Sequence, residues 1–240
     1  MADEMEEIER FAKSTLGGMP EVIKLLGRHN VEMAKEQFRE NMAMYLGRTA
    51  LGKKMLALTA LSVSLVNGQA DSAMIHFRLA RKFDAGMLEI LDSIKVAKMV
   101  LMSSTMSVMD AIKPIVAEQG KSSARSTELK KILGQIQTES GLASPPQNLV
   151  ALSSISFDLF EEHLKEKAEL LSPFVVDQKN IFLMAFADSV SIRYEECAKT
   201  YLIQFFRKGG TKAEMEDALY LTRFVTGNKA LTASMEILKW

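Results

Sequence analysis

The sequence predicts an all-α protein built from two copies of one helical unit. Apolar residues recur at helical spacing along most of the chain, and strand-like alternation between turn residues is nearly absent. The 13 glycines and 5 prolines fall mainly at the ends of the periodic stretches. The order of breaks and apolar stretches in the first half also returns in the second.

Asp3 suits the cap of a first helix ending near Leu16, with Gly17-Gly18 as the stop. Pro20 opens the next, and Val22, Ile23, Leu25, Leu26, Met33, Phe38, Met42 and Tyr45 carry it to Gly47. A third helix runs from about Leu51 to Val66 and stops at Asn67-Gly68. A fourth spans Ala70 to Phe83, a fifth Met87 to about Met99, and a sixth continues towards Ala117. The polar stretch from Glu118 to Ser126 reads as a connector, followed by a short helix, Glu128 to Gln137, that Ser126 can cap. Ser144-Pro145-Pro146 is a further break. Then come a long amphipathic helix from Asn148 to Leu171, an apolar one from Asp177 to Ile192, and a polar-started one from Glu195 to Lys208. Thr211 with Glu214 has capping-box spacing, and the last helix lies around Lys229 to Leu238.

An offset of 125 aligns the halves without a gap: Pro20 with Pro145, Ala43 with Ala168, Leu46 with Leu171, Lys54 with Lys179, Ala60 with Ala185, Ser64 with Ser189, Ala73 with Ala198 and Glu89 with Glu214. The expected organisation is a first unit over 1–118, a linker with a short helix over 119–144, and a second unit over 145–240.

Composition excludes several functions. Thirty basic and thirty acidic residues balance, so no electrostatic footprint for nucleic acid or an anionic membrane exists. Aromatics are 7%, too few for base-stacking platforms. The most apolar stretch, Met55 to Val66, falls short of the ~20 residues a membrane span needs. One cysteine, Cys197, permits no intrachain disulfide and fits a reducing cytoplasm. The acidic N-terminus lacks the basic lead of a signal peptide. The sixteen methionines read as core filler, and no metal-binding constellation is visible. His29 and His163 stand alone on polar helix faces.

The stretch Ala57 to His76, ALTALSVSLVNGQADSAMIH, and its continuation to Gly86 resemble the core motif of the carboxymuconolactone decarboxylase and alkylhydroperoxidase-D-like superfamily. The resemblance implies an all-α fold, assembly as trimers or hexamers, and a Cys-x-x-Cys helix start with a histidine four residues beyond. A thiol at a helix N-terminus is favoured as thiolate, and a histidine one turn on can relay its proton. Here the two cysteine positions are Gln69 and Ser72 in the first unit, the histidine is His76, and the motif glutamate is replaced by Ala57. In the second unit they are Tyr194, Cys197, Tyr201 and Phe182.

These residues leave three readings. The first is a non-redox binding or scaffold protein that has lost the cysteine pair. The second is a cofactor-free decarboxylase or lactone-processing enzyme acting on a small carboxylate. His76 would move the proton, Ser72 and Gln69 would hold substrate, and Arg78, with Arg81 and Lys82, would be a candidate carboxylate clamp. The third is a peroxidase using Cys197 alone, with Tyr194 and Tyr201 beside it. Against thiolate at Cys197 stand Glu195 and Glu196. If single-unit relatives form six-unit rings, this chain is expected to form a homotrimer.

Overall fold

The computed structural model describes residues 2–119 and 126–240. Among them the secondary structure is helical throughout, with no strand. The helices are α1 (Ala2–Leu16), α2 (Glu21–His29), α3 (Val31–Leu46), α4 (Lys53–Val66), α5 (Ala70–Lys82), α6 (Met87–Ser104), α7 (Met109–Glu118), α8 (Ser126–Ser140), α9 (Gln147–Ile155), α10 (Phe157–Leu170), α11 (Gln178–Ser191), α12 (Glu195–Arg207) and α13 (Lys212–Ala233). Short 3₁₀ turns join α6 to α7 and end the chain. Residues 120–125 of the expected connector, and the Asp3 and Ser126 side chains expected to cap helices, lie outside what is described.

Four element boundaries differ from expectation; at the fourth, the separate last helix expected around Lys229 to Leu238 is absent, because α13 runs unbroken from Lys212 to Ala233. The helix expected from Pro20 to Gly47 breaks at Asn30, where the backbone turns extended (φ −155°, ψ 111°). Its side chain accepts from the Met33 amide, capping α3. The helix expected from Asn148 to Leu171 breaks likewise at Ser156 (φ −151°, ψ 117°), which accepts from the Leu159 amide. Both polar residues compete locally for backbone donors inside a stretch whose apolar spacing continues unbroken. Conversely, no break follows Met99: α6 runs to Ser104.

α4 and α11 form the centre. Both are buried on nearly every face, which is why neither is strongly amphipathic. Leu56, Leu58, Leu61 and Val63 join Ile181, Leu183, Met184 and Phe186 in one core that draws on both halves. Fully burying one such side chain stabilises by roughly 1.5–3 kcal/mol. Two smaller clusters flank it. One holds Ile8, Ile23, Leu26 and Ala34; the other packs α8 through Leu129, Ile132, Leu133 and Ile136 against Leu149, Leu152 and Phe160.

The halves repeat the same devices in the same order. Lys54 pairs with Glu89 at 2.7 Å, and Lys179 with Glu214 at 2.6 Å. The turn before α5 has Gly68 at φ 68°, and the turn before α12 has Arg193 at φ 61°. Asp92, fully buried on α6, accepts from the amides of Phe174, Val175 and Val176 in the other half. Asp217 on α13 returns the interaction, accepting from Ala50 and Leu51. The register is not gapless. The N-cap prolines are Pro20 and Pro146, and the mid-helix breaks are Asn30 and Ser156. The offset is therefore 126 through these elements, and falls to 125 from Gly52 and Asp177 onward.

α8 also has a counterpart. Lys82 at the end of α5 donates to the Ser14 carbonyl of α1, and Arg207 at the end of α12 donates to the Glu139 carbonyl of α8. Each cation thus caps the carbonyl end of the helix laid across its own half.

One stretch, 87–118, is long and apolar enough by composition to cross a membrane. It is interrupted by the 3₁₀ turn at Thr105–Val108 and carries the buried Asp92.

Candidate functional site

In the first half, the motif residues face inward and are committed to internal partners. Gln69 precedes α5 and donates its amide to the Val225 carbonyl at 3.0 Å. Ser72 lies 2.9 Å from Ser64 Oγ. Because Ser64 donates its proton to the Ala60 carbonyl, Ser72 is the donor of that pair. His76 is 3% exposed, and its Nδ1 lies 2.7 Å from the Tyr45 hydroxyl. Burial pushes the imidazole down to about 4, so it is neutral at pH 7. The same burial raises the Tyr45 phenol far above its ordinary range, so it stays protonated.

The carboxylate clamp expected beside His76 does not form. Arg78 is exposed while His76 is buried, since positions two apart on a helix point in different directions. Arg81 and Lys82 are occupied by the carbonyls of Ala85 and Ser14.

The second half is different. Cys197, in the first turn of α12, is 8% exposed. Burial pushes its thiol up and outweighs the lowering by Lys167, Ser103 and Tyr201; Glu196 adds to the rise. Tyr194 is buried too and accepts from Asn148 Nδ2. Burial, then the neighbouring Cys197, raises its phenol. Tyr201 stacks on Phe182, the replaced glutamate position, with ring centroids 6.4 Å apart. Its hydroxyl is fully buried and grouped with Ser103 Oγ and the Cys197 thiol.

Sequence reasoning missed two residues here. His163, expected on a polar face, is 7% exposed; burial and then Lys167 push it down to about 4. Lys167 reaches over Tyr201, with Nζ 5.4 Å from the ring centroid. Their signal was available: His163 lies three residues beyond Phe160 and Lys167 four further on, the spacing of one helix face.

Cys197, His163, Lys167, Ser103, Tyr194 and Thr200 surround a small chamber of about 10 Å³. Thr200, Lys167 and Leu149 also line a much larger open cleft of about 620 Å³. Its floor is Phe182 and Tyr201. Ile132 and Ile136 of α8 and Leu164 of α10 form apolar walls, and Gln178, Gln204 and Lys208 bring polar groups. None of Gln69, Ser72 and His76 lines this cleft.

The fold has the all-α form that the motif resemblance around Asn67-Gly68 implies. A crystal structure from Burkholderia xenovorans LB400, provisionally named as a gamma-carboxymuconolactone decarboxylase subunit, superposes with a TM-score of 0.80. The match covers 98% of this chain and 95% of that one, at 17% sequence identity. At that identity the likeness is one of fold. No protein-family model and no curated protein sequence matches the chain.

Proposed function

We propose that this chain is a non-redox protein of its fold that binds a small molecule in the second-half cleft. The observation that carries the reading is the state of the chain's single cysteine. Cys197 is buried, its thiol is raised rather than lowered, and no second thiol exists to resolve an oxidised form. The peroxidase reading needs the opposite on each count. Beside the thiol lies a cleft of the size that takes small ligands, ~300–1,000 Å³, with apolar walls and few polar groups. The test has two arms. Purified protein with hydrogen peroxide and a dithiol reductant is expected to show no turnover above a Cys197→Ser variant. A small-fragment screen by protein-observed NMR is expected to perturb residues of α8, α10 and α12. Peroxide turnover that disappears in Cys197→Ser would overturn the proposal.

A second reading, a cofactor-free decarboxylase or lactone-processing enzyme on a small carboxylate, draws on the name of the Burkholderia structure and on the short His76–Tyr45 contact. A protonated phenol against a neutral imidazole is a competent proton pair, though it lies away from the cleft. Lactone or carboxylate turnover lost in both His76→Gln and Tyr45→Phe would favour it.

Organisation and assembly belong to the same proposal. The second unit begins at α8, because α8 stands to α12 as α1 stands to α5. Three chains then supply six units in a homotrimer. The exposed Leu101, Val108, Ile112 and Ile115 of α6 and α7 offer an apolar face for contact. Light scattering is expected to give three times the 26.7 kDa chain mass. A cytoplasmic setting fits the unpaired thiol.

A further inference from the structure

We propose that the cleft takes an amphipathic monocarboxylic acid, with its carboxylate on Lys167 and its hydrocarbon body between α8, α10 and α11. This rests on the reading of the cleft as a ligand site and adds the class of ligand. Lys167 is half-buried at the inner end of the cleft, where the cleft meets the Cys197 chamber. No carboxylate of the described residues pairs with it; its ammonium lies over the Tyr201 ring and near Cys197 and His163. Close by, Tyr201, Ser103 and Cys197 form a buried polar group with no charge of its own to answer the ammonium. A half-buried ammonium without a carboxylate partner, at the edge of an otherwise apolar cleft, calls for an anionic acceptor.

The rest of the lining restricts what that anion is attached to. Glu139 is the one carboxylate in the lining, against the two cations Lys167 and Lys208. Lys208 is exposed and solvated, so it gives no fixed second site for a dianion. Beyond Lys167 the walls are Ile132, Ile136, Leu164, Leu171 and Phe182, which gain by burying a hydrocarbon. A sugar or a nucleotide would leave its hydroxyls unpaired against these walls. A cationic amphiphile would meet Lys167 at close range.

The test compares octanoate, octanol and octylammonium by isothermal titration against the full chain, and repeats octanoate with Lys167→Met and Lys167→Arg. Octanoate is expected to bind at least tenfold more tightly than octanol, and octylammonium not at all. Lys167→Met is expected to lose at least tenfold for octanoate, while Lys167→Arg keeps most of it. Each variant's melting temperature is measured alongside, and perturbation of α8 and α10 amide signals by octanoate in the wild type places the ligand even if Lys167→Met is unstable. If octanol binds as tightly as octanoate, or Lys167→Met binds octanoate normally, the carboxylic-acid assignment falls and the cleft stands as a binding site. If none of the three binds or shifts those signals, the assignment falls, and the fragment screen then decides whether the cleft binds anything.

Discussion

Replacing Asp92 with alanine tests the joint between the two halves. The carboxylate is fully buried on α6 and accepts three backbone amides of the other half, at 2.8, 3.0 and 3.0 Å. These amides are not equivalent after the change. Phe174 and Val175 belong to residues 55% exposed, so water can replace the lost acceptor at a net cost of ~1 kcal/mol each. Val176 is 7% exposed, so its amide is left orphaned at a cost of about 2 kcal/mol. The expected loss is about 4 kcal/mol. A chain of this length shifts by about 2–4 °C per kcal/mol, so melting is expected to fall by roughly 10 °C. Asp217→Ala loses two amides, those of Ala50 and Leu51, and is expected to cost about 3 kcal/mol. Its 3.8 Å pair with the partly exposed Arg48 adds little. Asp92→Asn keeps one acceptor oxygen and is expected to fall between wild type and Asp92→Ala. Urea unfolding followed by circular dichroism measures all three. The reasoning is refuted if Asp92→Ala lies within about 0.5 kcal/mol of wild type, the range of an ordinary surface change.

Other tests follow from buried titratable groups. His76 and His163 are held neutral, so the folded state binds fewer protons than the unfolded one between about 4 and 6.5. Their stabilisation is present above about 6.5 and lost as the pH falls through 4. At about 1.4 kcal/mol per pH unit, His76 accounts for on the order of 3 kcal/mol, and His76→Gln is expected to flatten urea midpoints measured from pH 7.5 to 4.5. Asp188 runs the other way. Burial raises its carboxyl well above the usual range, outweighing the lowering by the Ser62 hydroxyl, which donates to Asp188 Oδ2 at 2.5 Å. Its contribution is present below the ordinary carboxyl range and lost as the pH rises. This downward slope above the ordinary carboxyl range opposes the histidines' rise, and Asp188→Asn is expected to remove it and leave a steeper rise of stability with pH. Finally, buried Cys197 is expected to react with an aromatic disulfide at neutral pH roughly a hundredfold more slowly than in urea; equal rates would show that the thiol is open.

Much of the fold was legible because its signals are local. Gly17-Gly18, Asn67-Gly68 and Gly209-Gly210 stop helices wherever they stand, and Thr211 with Glu214 forms the capping box its spacing implies. The candidate site was legible only in part. The motif positions Tyr194, Cys197 and Tyr201 do converge, but of the two side chains that complete the chamber His163 was assigned to a polar face and Lys167 carried no assignment. His163 and Lys167 share a helix face, and whether that face meets water depends on where α8, α9 and α12 pack.

The sequence by itself determined the helical class and most helix ends, because periodicity and capping are written within a few residues of where they act. Tertiary structure alone decided that Asp92 and Asp217 cross between halves, that α8 is the counterpart of α1, and that His76 is closed in by Tyr45 while Tyr201 floors an open cleft. Each of these depends on the desolvation or pairing of groups far apart in the chain, and no local pattern records which distant surface will cover a side chain.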